Sequence, residues 1–282
     1  MLAVALGLGS ALCWGVADFI AGLQSRVQHV LAVLAISQIA GTLALLVLVM
    51  AVGGEFPTGG AVAWTVTGAL AGILGLLAFY AALAAGTMSI VAPISATGAA
   101  IPVTVGVALG ERPGALQWVG LAVAMGGVIA AAREPAHDDL ARAETHRRAI
   151  ALALLAAVGI GMFLLGLDRA TESADPLPAT LLGRGCASAL VVSLLLAIRP
   201  PLPRAGGTLA LIVLAGVLDA GANALYALAT VEGLLSVVSV LGSLYPAVTV
   251  VLARLVLAER IAWWQQAGVG ATLVGVGLIA AG

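Results

Sequence analysis

A few polar side chains interrupt stretches of this chain that are otherwise apolar, and their types fit ligand binding or ion pairing. An ionised side chain near the centre of a bilayer costs at least about 2.5–3.5 kcal/mol unless it is paired or hydrated. Polar residues at that depth therefore mark either binding sites and pathways or pairs that only stabilise the fold. Those inside the predicted membrane spans are Asp18, Gln38, Arg184, Asp219, Asn223 and Arg254.

Two of these charges, Arg184 and Asp219, are predicted to lie at the same depth. Arg184 precedes Arg199 by 15 residues, and Asp219 follows Arg204 by 15 residues. At 1.5 Å per helical residue, both lie roughly 22 Å from the same membrane face. We predict a buried ion pair between two neighbouring antiparallel helices, which is either a structural clasp or part of a transport pathway.

Asp219 also begins a polar helical face. Asp219, Asn223 and Tyr226 follow one another at i, i+4 and i+7, which places them on one side of a helix. The segment 146 residues earlier has Ile73, Leu77 and Tyr80 at the corresponding positions. Because one polar face suits an asymmetric ligand, we predict that the later face lines a cavity. The two tyrosines are either binding residues or packed aromatic side chains.

Asp18 lies one helical turn after Trp14, about 8 Å inside the end of the first apolar stretch. If Asp18 binds and releases a proton, it allows proton-coupled exchange. The alternative is an interfacial aspartate that reaches headgroup water. Gln38 is interpreted as a packing residue, and Arg254 as a side chain that snorkels to the membrane surface.

Membrane-spanning helices are the elements that must carry these residues. The sequence is 62% hydrophobic and 9% charged with a mean hydropathy of +1.17, which leaves too little polar surface for a water-soluble globule. About 20 apolar residues cross a hydrocarbon core roughly 30 Å thick. The stretches that fit are Leu2–Leu23, Val30–Val52, Ala61–Ala85, Met88–Leu109, Ala115–Ala132, Ala149–Leu167, Pro176–Ile198, Gly206–Thr230, Leu234–Leu257 and Ala262–Ala281.

An internal duplication organises these ten helices. Glu111-Arg112 and Glu259-Arg260 are the same dipeptide 148 residues apart, each between two apolar stretches. We predict a first five-helix repeat at 1–132, a polar linker at 133–148 and a second repeat at 149–282. An odd number of spans per repeat inverts the second copy, so the predicted fold class is an all-α integral membrane protein with two inverted five-helix repeats.

Several function classes are excluded by what the sequence lacks. All twelve basic residues are arginine, so Schiff-base chemistry and a polybasic nucleic-acid surface are both excluded. No histidine or paired-carboxylate constellation lies within the spans, so we expect no enzyme activity, no metal and no cofactor. The first stretch has no basic n-region, and we expect it to remain in the mature protein.

Small residues and prolines indicate how the helices pack. Gly68 with Gly72 and Gly106 with Gly110 have the spacing that lets helix backbones approach closely. A proline inside a helix leaves a backbone carbonyl without its hydrogen bond. In a membrane such a carbonyl is tolerated only where it faces protein or a water-filled cavity. Helices four and nine are therefore predicted to face inward, although a plain packing kink is an equal alternative. These prolines are Pro93, Pro102 and Pro246.

Three segments together resemble the EamA-type proteins of the drug/metabolite transporter superfamily. They are ALCWG at 11–15, FYAAL at 79–83 and LGSLYPAVTV at 241–250, the last followed by Glu259-Arg260. The resemblance implies a ten-helix transporter of small metabolites such as amino acids, with a central cavity. The first half departs from the pattern at Gly98 and Pro102, which leaves open where helix four bends. With Tyr245 of the third segment added, the candidate substrate-binding residues are Trp14, Asp18, Tyr80, Asp219, Asn223, Tyr226 and Tyr245.

These observations favour a secondary transporter of the cytoplasmic membrane that moves an amino acid-like or amphoteric solute by alternating access. Export is the expected direction, with protons as a possible coupling ion and a monomer or homodimer as the working form. The alternative is a non-transporting scaffold or an accessory protein for lipid handling. On orientation, the arginine count places both termini outside, whereas the family resemblance places them in the cytoplasm.

Overall fold

The computed structural model describes residues 2–99, 101, 105, 114–132, 140–171, 173–203, 206–232, 244–259 and 262–281. All regular structure in these residues is helical, with a 3-10 turn at Thr97–Ala99 directly after the fourth helix. Ten α-helices lie within the described residues, as the sequence predicts. They are α1 (Leu2–Ser25), α2 (Val30–Val52), α3 (Gly60–Ala85), α4 (Met88–Ala96), α5 (Ala115–Ala132), α6 (Leu140–Thr171), α7 (Pro176–Ile198), α8 (Gly207–Glu232), α9 (Tyr245–Val256) and α10 (Trp263–Ala281).

The helices have the length and surface of membrane spans. Among the described residues, α1, α2, α3 and α7, together with Glu144–Thr171 of α6 and Gly207–Tyr226 of α8, are long and apolar enough to cross a bilayer. Large apolar side chains such as Val47, Met50 and Leu255 are 68%, 78% and 77% exposed. Water would penalise such a surface, whereas lipid does not. The chain is a multi-pass membrane protein.

Three features of the predicted helices differ most from the structure. Helix α6 begins at Leu140, so the second part of the predicted linker is helical. In α4 the α-helical hydrogen bonding ends at Ala96, beyond Pro93, and passes into the 3-10 turn. Pro246 occupies the first turn of α9 instead of its interior, where a missing N–H breaks no hydrogen bond within the helix. The other expectations for this part of the chain fall on Pro102, Gly106, Gly110, Glu111, Arg112, residues 133–139 and 233–243, and Arg260, which lie outside the described residues.

Close backbone contacts hold the helix pairs together. Gly68 of α3 lies against Gly166 of α6, and Gly75 lies against Gly159, so a Cβ at either position of α3 would stand within 3 Å of backbone. Packing of this kind provides the van der Waals attraction that lipid cannot replace with a hydrophobic force. The predicted small-residue face of α3 is therefore the contact surface for α6.

Helix α2 packs against both α7 and α8, which make only a small direct contact with each other. Gly41 of α2 and Gly216 of α8 make this contact, since a Cβ on Gly216 would collide with the carbonyl of Ser37. Helix α4 is buried along its whole length, from Met88 to Ala96, and it packs against α6, α9 and α10. The main apolar core takes buried residues from α1, α2, α3, α4, α6, α7 and α8, and one residue each from α9 and α10.

Candidate functional site

Arg184 and Asp219 form an ion pair inside the bundle. Nη1 of Arg184 lies 2.6 Å from Oδ2 of Asp219, and the two side chains are 7% and 16% exposed. Asn223, one turn further along α8, donates from Nδ2 to the carbonyl oxygen of Asp219 at 2.6 Å. The two charges that the sequence placed at one depth therefore touch.

The route of this contact differs from the one expected from the sequence. Helices α7 and α8 were expected to be direct neighbours; they make a small direct contact, but both also pack on α2, and the Arg184 guanidinium passes α2 at Gly41. A Cβ at Gly41 would collide with that guanidinium and with the Gly216 carbonyl. The absence of a side chain at Gly41 is what lets Arg184 reach Asp219. The Nε and Nη2 atoms of Arg184 are buried there without a hydrogen-bond partner among the described residues.

Asp18 and Tyr80 bring two further polar groups of the first half to this region. Asp18 of α1 is 6% exposed and Tyr80 of α3 is 2% exposed. Asp18 lies within electrostatic range of Asp219, and Tyr80 lies within range of Asp18, Asp219 and Arg184. The burial of Asp18 fits a position inside the bundle better than one at the headgroups.

Three aromatic rings, one of them from α1 itself, cluster next to this region. The ring centroids of Trp14 and Tyr226 are 5.6 Å apart, and those of Trp14 and Tyr245 are 6.2 Å apart in an edge-to-face arrangement. Tyr245 lies within electrostatic range of Asp18. Trp14, Tyr226 and Tyr245 are each partly exposed. We call these three rings the aromatic trio.

The contact between α1 and α9 fixes the position of this trio. A Cβ at Gly15 would stand 2.6 Å from the Tyr245 carbonyl oxygen and less than 3 Å from Val248. The Thr249 hydroxyl donates to the Gly15 carbonyl at 3.2 Å. Because Gly15 has no side chain, the start of α9 lies directly on α1 beside Trp14. All the binding residues predicted from the sequence therefore lie in one connected region formed by α1, α3, α8 and α9.

Sequence reasoning missed a second polar cluster, centred on Glu259. Its carboxylate accepts hydrogen bonds from the N–H groups of Met88 at 3.0 Å and Ser89 at 2.9 Å, which are the first residues of α4. Arg26 lies 3.1 Å from Glu259 and donates to the Gly86 carbonyl at 3.0 Å. A carboxylate at a helix N-terminus satisfies free N–H groups and interacts favourably with the helix dipole.

Glu259 therefore ties the loop before α10 to the start of α4 and the end of α1. Its place in a repeated Glu-Arg dipeptide was the available signal, but a capping partner 170 residues away has no local signature. Gln38 is buried, and Arg254 is exposed, as expected for a snorkelling side chain.

Comparisons with known proteins agree with this architecture. A model of the EamA-like transporter family matches residues 1–133 and again residues 147–281. No curated protein sequence matches the chain. One solved structure, described only as a crystal structure of a protein, aligns with a TM-score of 0.63 and 16% identity over 99% of this chain and 96% of that chain. At this identity the likeness concerns the fold alone. With both matches together spanning nearly its full length, the chain belongs to the EamA-like transporter family.

Proposed function

We propose that this protein is a secondary transporter that exports a small amino acid-like or amphoteric solute across the cytoplasmic membrane by alternating access. The observation that carries the proposal is the polar cluster to which both halves contribute. Asp18 and Tyr80 come from the first half, and Arg184 and Asp219 come from the second half. Polar groups at this depth are costly in lipid, so a ligand pathway gives a reason for their presence.

Alternating access requires two conformations of similar energy, which inverted repeats supply. We infer an inverted relation between the halves from contacts between equivalent residues. The hydroxyls of Thr42 and Ser188, which are 146 residues apart, lie 2.8 Å from each other where α2 meets α7. A residue can touch its own repeat equivalent only close to the axis that relates the two copies.

Helices α5 and α10 support the same inference. Gly127 of α5 packs on Thr272 of α10, and Gly275 of α10 packs on Ala124 of α5. Adding 148 to the residue number of Gly127 gives Gly275, and subtracting 148 from that of Thr272 gives Ala124. The two contacts are therefore repeat equivalents of each other. Reciprocal contacts of this kind are expected from a two-fold relation between the repeats.

Proton coupling is proposed to act through Asp18. Its charged and titratable neighbours are Asp219 on α8, Tyr80 on α3 and Tyr245 on α9. Asp219 has Arg184 as a partner, whereas Asp18 has no hydrogen bond or ion pair with any residue in the described ranges. A proton on Asp18 would neutralise the remaining charge before the solute binds.

A liposome assay tests the proposal. Purified protein is reconstituted, and the movement of a pool of amino acids and nucleosides is measured with and without a pH gradient. We expect at least one solute to move only when protein is present, and we expect Asp18→Asn to abolish the effect of the gradient. If no solute in a broad pool moves, the transporter proposal is wrong.

Cysteine labelling distinguishes a transporter from a dry scaffold. In a background with Cys13→Ala and Cys186→Ala, we expect Asn223→Cys to react with a membrane-impermeant thiol reagent. Val47→Cys, on the exposed apolar face of α2, is the matched control and should not react. An unreactive Asn223→Cys under all conditions would favour the scaffold.

A further inference from the structure

With both aspartates ionised, the described site has one more negative charge than positive charge. Asp219 is neutralised by Arg184 at 2.6 Å, which leaves Asp18 as an additional carboxylate. Asp18 is 6% exposed and makes no hydrogen bond or ion pair within the part of the chain that the structure describes. An unpaired charge buried in a membrane protein is strongly disfavoured, so an ionised Asp18 requires a positive charge from outside the chain, either a proton or a cationic group of a ligand.

The aromatic trio stands beside this carboxylate. Trp14 precedes Asp18 by one helical turn on the same face of α1, and Tyr245 lies within electrostatic range of Asp18. Tyr226 completes the group at 5.6 Å from Trp14. The faces of aromatic rings carry negative potential and attract cations, and tryptophan does so most strongly.

The trio differs in exposure from the other aromatic pair near the site. Phe79 and Tyr80, with ring centroids 6.1 Å apart, are 1% and 2% exposed and belong to the central apolar core. The three rings of the trio are all partly exposed, so each has surface left for a ligand.

A site for an anion at Arg184 is the competing interpretation. Its unpartnered Nε and Nη2 atoms are buried, and Nη2 lies against the backbone at Gly41. A ligand could reach these atoms only by separating α2 from α8. The rings of the trio are partly exposed, and the excess negative charge of an ionised Asp18 also favours a cation.

We propose that Asp18 and the aromatic trio form a subsite for a positively charged organic nitrogen. The substrate is then an organic ammonium compound, or an amphoteric solute that enters this subsite with its ammonium group. This inference rests on the proposed transport function and names the substrate group that the site recognises.

The test compares a permanent cation with its neutral isostere. Binding of choline and of 3,3-dimethylbutan-1-ol to the detergent-solubilised protein is measured by calorimetry and by the shift in melting temperature, with sodium chloride as the ionic-strength control. We expect choline alone to bind and to stabilise the protein. Equal effects of choline and the alcohol, or of choline and sodium, would overturn the proposal.

Matched variants assign the effect to the subsite. We expect Asp18→Asn to reduce choline affinity at least tenfold, and Trp14→Leu to reduce it about two- to thirtyfold. The controls are Glu55→Gln, which removes an exposed carboxylate, and Trp64→Leu, which removes an exposed tryptophan of α3. Both controls should retain choline affinity.

Asp18→Glu keeps the proposal testable if Asp18→Asn fails to fold, because it retains the charge and should retain the preference for choline. Loss of that preference in a folded Asp18→Glu protein, together with its retention in Trp14→Leu, would contradict the subsite. If liposomes carry neutral solutes but choline does not bind, the cation inference fails and the transporter stands. If choline binds but neither choline nor any solute of the pool moves in liposomes, the subsite stands and the transport proposal fails.

Discussion

Helices α3 and α8 occupy corresponding positions in the two halves, yet side chains that are buried on α3 correspond to partly exposed side chains on α8. On α3, Ile73 and Tyr80 are 4% and 2% exposed. On α8, the corresponding residues Asp219 and Tyr226 are both partly exposed. Two copies of one helix have therefore taken different roles in one bundle.

Their glycines show the same difference. A Cβ at Gly75 of α3 would stand 2.8 Å from Gly159 of α6, whereas a Cβ at the equivalent Gly221 of α8 has no described atom within 4 Å. At this position α3 is packed tightly against α6, whereas α8 meets no described atom.

The largest expected effect comes from the ion pair that only α8 carries. We expect Arg184→Ala and Asp219→Ala each to lower the free energy of unfolding by about 3–5 kcal/mol, because each leaves an uncompensated buried charge. The double variant should be more stable than the worse single variant. Unfolding in mixed micelles with increasing dodecyl sulfate measures this.

Arg254→Ala is the control for that cycle, since Arg254 is exposed and a change of less than about 0.5 kcal/mol is expected. If the double variant is no more stable than the worse single variant, the two residues do not act as a pair.

The equivalent glycines give an intermediate effect and test the comparison directly. We expect Gly75→Ala to destabilise the protein by about 1–3 kcal/mol, because the methyl group has no room against α6. Gly221→Ala should be neutral or stabilising by up to about 1 kcal/mol, since alanine favours the helix and meets no neighbour. The same micelle unfolding experiment applies. Equal losses in both variants would mean that α8 is as tightly packed as α3.

The smallest effect on stability is expected at Asn223. Asn223→Leu makes α8 resemble α3, where Leu77 occupies the equivalent position. It removes one side-chain hydrogen bond to a carbonyl, so the free energy of unfolding should change by less than about 1 kcal/mol. Solute transport in liposomes should fall at least tenfold. Full transport by Asn223→Leu would show that the polar face of α8 does not contact the solute.

Much of the helix pattern could be predicted because it depends on local composition. Helices α2, α5 and α7 have the bounds that their apolar stretches indicated. The early start of α6 at Leu140 could not be predicted in this way, because residues 140–148 are polar and hydropathy counts only apolar length. A helix that continues past its apolar stretch needs a different signal from the stretch itself.

The sequence predicted which residues belong to the candidate site but not how the helices bring them together. Depth counting placed Arg184 and Asp219 at one level, and the structure joins them. It could not indicate that both helices pack on α2 or that Gly41 makes room for the guanidinium. Likewise, nothing local to Glu259 indicates that it caps α4.

By itself, the sequence determined ten apolar helices, two related halves and a small set of costly polar residues, because hydrocarbon thickness and charge burial act on each segment separately. Only the tertiary structure decided which of those residues meet. Contacts across helices depend on the depth and rotation of each helix. Both are set by close approaches, such as that of Gly15 in α1 to α9 and that of Gly41 in α2 to α8. Those approaches bring Asp18, the aromatic trio and the ion pair into one region.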